Sequence, residues 1–192
     1  MYPDLPVLGL CPAGRTYLSS IIFMKNIFLL TLAIIGIAGT SVAQSRLYVN
    51  PLANGQNNGS AWADAFTDLH NALAIASQGD EVWVAEGEYR PDTATNRDRS
   101  FVLKSGVKFY GGFNGTETSL AQRDIIAHPT ILSGNIGNPA DSTDNSYTIL
   151  YMAYPDTSTR LDGLDFRNGY AVSDTHFFNL SPVLSGGAVY VL

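Results

Sequence analysis

The chain is poor in cysteine, in charge and in histidine. One cysteine, Cys11, stands among 192 residues, so a scaffold stapled by internal disulfides is excluded. Charged residues make up only 15%, and the 11 Lys and Arg form no cluster, which argues against nucleic acid as a partner. The three histidines, His70, His128 and His176, are too scattered to form a zinc site. What is left is an acidic chain, with a formal net charge of -6, that must hold itself together by packing.

The chain also lacks an apolar run of membrane-spanning length. Its main run, residues 27–38, is shorter than the ~20 residues that a membrane helix needs. Lys25 precedes this run and Ala43 closes a small-x-small pattern after it, which predicts a signal peptide over residues 24–43. A retained membrane anchor is the alternative. We expect residues 1–23 to be an upstream extension and residues 44–192 to be the secreted or cell-surface part, associated with the outer membrane.

Short apolar segments alternate with turn residues along the rest of the chain. The 18 glycines, with many Asn, Asp, Ser and Thr, indicate frequent turns. The segments predicted as strands are residues 46–50, 81–85, 101–103, 107–110, 130–132, 147–152, 161–166 and 188–192. This succession without intervening helices excludes a doubly wound α/β fold and leaves a sandwich, a barrel or a β-solenoid.

One amphipathic helix is predicted, and it precedes the strongest strand. Its apolar stripe consists of Trp62, Phe66, Leu69, Leu73 and Ala76, at spacings of four, three, four and three. A helix over residues 66–76 is well placed to cover the first coil of a solenoid, whose open end would expose unpaired strand edges.

We therefore predict an all-β fold, a right-handed parallel β-helix with an N-terminal amphipathic capping helix. Hairpin signals are scarce, and the segments that begin at Gly163 and Gly187 look like one loosely repeated unit. The chain stops inside an apolar run at Val191 and Leu192, so we expect a fragment truncated at its C-terminal end.

An ordered set of segments resembles a known family. The segments are residues 48–50, 58–62, 65–69, 72–73, 79–89, 110–117, 132–134, 144–147 and 161–163. Together they resemble the N-terminal part of large bacterial surface proteins with a pectin-lyase-like right-handed parallel β-helix, the polymorphic outer-membrane-like proteins. The resemblance implies many further rungs and, in many members, a sorting domain for type IX secretion. Adhesins, polysaccharide lyases and glycosidases share this fold, so the resemblance does not choose between them.

Carboxylates were the first candidates for chemistry, because enzymes of this fold use them. Asp162 and Asp165 are three residues apart on a predicted strand and should face opposite ways unless a turn at Gly163 intervenes. We interpret them as outward or turn residues. The second group, Asp141, Asp144 and Asn145, could hold Ca²⁺ weakly, but it lacks a full loop-ligand pattern and is more simply a hydrated turn. No catalytic residue, metal site or cofactor is therefore predicted, and the ligand-binding residues are unknown.

The aromatic residues have two interpretations. Trp83, Tyr89, Phe109, Tyr110 and Phe113 either line a sugar-binding groove or fill the interior and cover strand edges. We predict a non-catalytic, monomeric secreted or surface protein that contacts an extracellular glycan or a host or cell surface. Its contact with a membrane would come only from export or from a missing C-terminal anchor. The alternative is the N-terminal fragment of a polysaccharide lyase or glycosidase.

Overall fold

A computed structural model describes residues 44–170 and 187–192. The predicted extension, residues 1–23, and signal peptide, residues 24–43, lie outside the described residues, as does His176. The described part contains ten short strands and one α-helix, α1, at Leu69–Ile75. The strands are β1 (Arg46–Val49), β2 (Glu81–Ala85), β3 (Gly87–Tyr89), β4 (Phe101–Leu103), β5 (Lys108–Phe113), β6 (Thr130–Ser133), β7 (Leu150–Met152), β8 (Arg160–Asp162), β9 (Leu164–Arg167) and β10 (Val189–Val191). Two 3-10 turns, Leu120–Gln122 and Ser142–Asp144, lie in the connections.

The strands form three small parallel sheets. One sheet has four strands in the order β1-β2-β5-β8, and the others have three each, in the orders β3-β6-β9 and β10-β7-β4. All seven strand pairs among the described residues are parallel, in agreement with the scarcity of hairpin signals. Every predicted strand segment contains a strand, but β3 was missed because its three residues include Gly87 and Glu88.

The predicted fold class, an all-β right-handed parallel β-helix with an N-terminal capping helix, is wrong. The described residues form three small sheets and no closed solenoid. The partners in register along the four-stranded sheet are Arg46, Glu81, Lys108 and Arg160, so the lengths of chain between successive partners are very unequal. The chain between β1 and β2 adds a loop and α1 but no strand to the other two sheets. The loose sequence repeat therefore predicted a more regular architecture than the structure has.

The helix is shorter than predicted. It begins after Asp68, whose side chain accepts a hydrogen bond from the His70 N–H at 2.9 Å and caps the first turn. Phe66 instead forms a parallel bridge with Val49, because its N–H and C=O both bond to the backbone beside β1 at 2.9 Å. The buried helix residues are Leu69, Ala72 and Leu73. Leu69 and Leu73 belong to the stripe that the sequence indicated, whereas Ala72 was not part of it and Trp62 and Phe66 precede the helix.

One main hydrophobic core joins all three sheets to α1. It includes the alternate residues Val82, Val84 and Phe109 of the four-stranded sheet, with Leu132 and Leu150 from the other two. Each of these side chains contributes about 1.5–3 kcal/mol to folding by leaving water. Because side chains alternate along a strand, the residues between them lie on the outer face of the four-stranded sheet.

Candidate functional site

Two rows of side chains cross the outer face of the four-stranded sheet. The first row contains Arg46, Glu81, Lys108 and Arg160, which are partners in register on successive strands. The second row, two residues further along each strand, contains Tyr48, Trp83, Tyr110 and Asp162. Neighbours in a row lie about 4.8 Å apart, the spacing of strands in a sheet. The parallel register therefore assembles residues that are far apart in sequence.

The charges on this face are unequally matched. Glu81 lies between two cations, 3.8 Å from the Nε of Arg46 and 3.9 Å from the Nζ of Lys108. Asp162 likewise accepts from Arg160 at 3.2 Å and from Arg123 at 3.4 Å. Four cations thus share two carboxylates. We call these six residues, Arg46, Glu81, Lys108, Arg123, Arg160 and Asp162, the charged strip.

Lys108 and Arg160 are two like charges side by side. They are partners in register on β5 and β8, with no residue between them along the row. The side chain of Arg160 is 62% exposed and that of Lys108 is 30% exposed, so both reach solvent. Like charges directly opposite each other destabilise a sheet, and an anion between them relieves the repulsion.

Arg123 was missed by the sequence analysis. It lies in the connection between β5 and β6, and its guanidinium donates to the Gly111 carbonyl at 3.1 Å as well as to Asp162. Its guanidinium carbon lies 5.2 Å from the centre of the Tyr110 ring. No pattern near Arg123 in the sequence signals this placement, because it depends on the way the connection folds back over the sheet.

An aromatic cluster packs beside the charged strip and contacts two of its residues. The indole of Trp83 stacks on Phe113 with ring centres 4.5 Å apart, and the guanidinium of Arg46 lies 3.7 Å from its ring centre. The Trp83 Nε1–H donates to Glu81 at 3.0 Å, which fixes that carboxylate between its two cations. Burial, reinforced by the nearby Glu81, raises the pKa of Tyr110.

The aromatic residues singled out in the sequence are buried, whether they lie in the main core or on the outer face of the four-stranded sheet. Their exposed fractions are 0% for Trp83, Phe109 and Phe113 and 5% for Tyr89 and Tyr110. No ring of this set therefore offers a free face to a sugar, and the second interpretation of the aromatics is confirmed. Burial also raises the pKa of Tyr89, whose hydroxyl donates to the Ala85 carbonyl at 2.9 Å.

The two aspartates around Gly163 lie on different sheets. Gly163 adopts a positive φ of 72°, and the chain turns there from β8 into β9. Asp162 belongs to the charged strip, where it pairs with Arg123, whereas Asp165 forms an ion pair with Arg167 in another sheet. The predicted outward or turn placement therefore agrees with the contacts, and the turn at Gly163 is the feature that separates the two carboxylates.

Two histidines are described, and each is held by a local contact. The Nε2 of His70 lies 2.8 Å from the Pro91 carbonyl oxygen, and its ring centre is 4.7 Å from that of Phe101. The Nδ1 of His128 lies 2.9 Å from Glu86, whose hydrogen bond raises the pKa of His128. Within the described ranges, no group of three or more His, Cys, Asp or Glu side chains could hold a metal ion.

A groove lies at the start of α1. This groove has a volume of about 350 Å³, and its lining includes His70, Glu88, Arg90, Asp92 and Arg99. Its carboxylates already have partners: Asp92 accepts from Asn96 N at 3.0 Å and from Arg99 at 3.3 Å, and Glu88 pairs with Arg90. Hydrogen bonds from Asn96 and Ala94 lower the pKa of Asp92. Because Asp68 also lines the groove, three carboxylates face two arginines there, and the groove has no surplus of positive charge to match that of the charged strip.

No protein family, curated protein or solved structure matches the chain. The resemblance to pectin-lyase-like surface proteins therefore stays a prediction. In the part of the chain that the structure describes, no helix has the length and apolar character needed to cross a bilayer.

Proposed function

We propose that this chain is a non-catalytic secreted or cell-surface protein whose charged strip binds an acidic glycan. The observation that carries the proposal is the surplus of positive charge: four cations share two carboxylates, on a chain whose formal net charge is -6. The export pattern of residues 24–43 supports the location, since it would deliver the strip to an environment that contains glycans.

The chemistry of the strip favours an anion that repeats along a line. Carboxylate and sulfate oxygens accept paired hydrogen bonds from a guanidinium, and both groups recur along acidic polysaccharides. The first row runs across the strands from Arg46 to Arg160, so that one acidic chain could contact Lys108 and Arg160 in succession. Because the aromatic rings below are buried, recognition would rest on charge and hydrogen bonds rather than on ring stacking.

Neither carboxylate of the strip is free to act as a catalyst. A glycosidase needs two carboxyl groups that flank the scissile bond, one of them as an acid. Glu81 and Asp162 each lie between two cations, so both carboxylates are engaged in ion pairs. This supports binding without cleavage.

The test is binding of polygalacturonate oligomers to the full chain, with neutral dextran oligomers of equal length as the control ligand. We expect calorimetry to detect binding of the acidic oligomer, with an affinity that falls as the salt concentration rises. Exposed charges are screened beyond about 8–10 Å at physiological ionic strength. The double variant K108Q/R160Q should lose at least about tenfold in affinity, or about 1.4 kcal/mol.

The matched control is Arg167→Gln. Arg167 is also an exposed arginine paired with an aspartate on an outer strand, but it belongs to the sheet of β3, β6 and β9. It should change the affinity less than twofold. If K108Q/R160Q binds the acidic oligomer as tightly as the unmodified chain, the charged strip is not the binding site. If new reducing ends or unsaturated products form, the protein cleaves the glycan and the proposal of a non-catalytic protein is wrong.

A further inference from the structure

The connection between β6 and β7 closes on itself. The Ser146 N–H donates to the Gly134 carbonyl at 2.8 Å, so the two ends of this connection are adjacent. We call residues 134–146 the closed loop. It holds Asp141, Asp144 and Asn145, the turn in which the sequence suggested a weak Ca²⁺ site.

Four side-chain oxygens of the closed loop are buried and accept no hydrogen bond within the described part of the chain. They are Asn135 Oδ1, Asp144 Oδ1, Asn145 Oδ1 and Ser146 Oγ. The residues Asn145 and Ser146 are themselves 6% and 0% exposed. A buried polar atom without a partner costs about 1–3 kcal/mol, so four such atoms in one loop call for a common explanation.

Backbone contacts bring Asn135 and Ser146 together at the neck of the loop. Asn135 follows Gly134, and Ser146 is bonded to Gly134, so the side chains of the two ends start from neighbouring positions. The other carboxylate oxygen of Asp144 accepts from the Asn138 N–H at 2.7 Å. It also lies so close to the place where a Cβ on Gly137 would be that a side chain there would displace this carboxylate. One carboxylate oxygen of Asp144 is thus held in place, and the other, Oδ1, has no hydrogen-bond partner among the described residues.

We infer that the closed loop binds Ca²⁺ through the side chains of Asn135, Asp144, Asn145 and Ser146. Three of the four atoms are amide or carboxylate oxygens, which can only accept, so these three cannot satisfy one another. A hard cation satisfies all of them at once, and Ca²⁺ takes six to eight oxygen ligands that include carboxylates, amide carbonyls and waters. Cysteine and histidine are absent from the closed loop, which argues against zinc.

The same contacts predict a modest affinity. Asp144 supplies the one carboxylate among the four side chains, and a half-buried cation, Arg97, contacts the loop at Asn145. Arg97 donates to the Asn145 carbonyl at 2.7 Å, and its Nη2 has no hydrogen-bond partner in the described residues. Its charge opposes a second cation. We therefore expect a dissociation constant of about 10⁻⁴–10⁻³ M, the range of extracellular calcium modules.

The experiment is titration of the full chain with CaCl₂ after treatment with EDTA, followed by calorimetry and by thermal unfolding. We expect saturable binding of one ion and a Tm that rises with Ca²⁺ concentration, because an ion bound only by the folded state stabilises it. Asp144→Asn should weaken Ca²⁺ at least about tenfold, since it removes the charged ligand. Asn135→Asp should tighten Ca²⁺, since it adds a second carboxylate.

The matched control is Asp141→Asn. Asp141 lies in the same loop and carries the same charge, but it is exposed and its oxygen accepts from the Thr143 hydroxyl and N–H. It should change the Ca²⁺ affinity less than threefold. Absence of any Ca²⁺ effect on the unmodified chain would overturn the inference, and so would destabilisation by Asn135→Asp without tighter binding, because buried waters would then account for the oxygens.

Discussion

At the scale of single residues, a buried hydroxyl group links two of the sheets through hydrogen bonds. The hydroxyl of Thr130, which is fully buried, accepts from the Gly112 N–H at 3.0 Å and lies 3.1 Å from the Val84 carbonyl oxygen. It therefore ties β6 to β2 and β5 without a ladder hydrogen bond. A buried N–H left without such a partner would cost about 1–3 kcal/mol.

His128 gives a pH dependence that can be measured. Its hydrogen bond to Glu86 raises the pKa of His128 above 6.5 in the folded chain. The charged form is thus favoured by folding, so this contribution to stability is complete below pH 6.5 and is lost as the pH rises through the raised pKa. We expect the Tm difference between the unmodified chain and His128→Gln to be larger at pH 5.5 than at pH 9. A difference that does not change with pH would contradict the pair.

At the scale of elements, strand ends are decided by backbone conformation. The sequence indicated one strand over residues 161–166, although the spacing of three between Leu161 and Leu164 breaks the alternation at Gly163. In the structure Gly163 has φ 72°, which ends β8 and sends β9 into a different sheet. The end of α1 depends on a side chain instead. The ammonium of Lys104, which lies outside the helix, donates to the Ala76 carbonyl at 2.9 Å.

Gly163→Ala should destabilise the chain by about 2–4 kcal/mol, measured by urea unfolding. A positive φ costs a residue with a side chain about 1–2 kcal/mol, and the new Cβ would lie 2.7 Å from the Gly111 carbonyl oxygen and 2.8 Å from Ile125. Gly79→Ala is the matched control, since Gly79 also has a positive φ, of 94°, but has no atom within 4 Å of the new Cβ. Equal losses in the two variants would show that the close approach to Gly111 contributes nothing.

At the scale of the described part of the chain, parallel pairing makes the contacts distant in sequence. Each neighbour in the four-stranded sheet, from Arg46 to Glu81, Lys108 and Arg160, is reached only after a long connection. The entropy of closing these connections is lost before the sheet gains its hydrogen bonds and its buried surface. Parallel sheets of this kind therefore fold slowly.

We expect refolding from urea on the order of seconds or longer, followed by tryptophan fluorescence in stopped-flow mixing. Trp83 is a suitable probe, because it is fully buried and its ring stacks on Phe113 from another strand of the sheet. Complete recovery of its signal within a millisecond would contradict the role of long connections.

The sequence by itself determined where most strands lie, that hairpins are scarce, and that Leu69 and Leu73 lie on the buried face of α1. These features depend on local propensity and side-chain alternation, which can be read within a few residues. The sequence did not determine the architecture, since a loose repeat does not fix how unequal connections stack three small sheets. Only the tertiary structure placed Lys108 beside Arg160 and brought Arg123 onto the charged strip. Register and the fold of connections join residues that no local pattern relates.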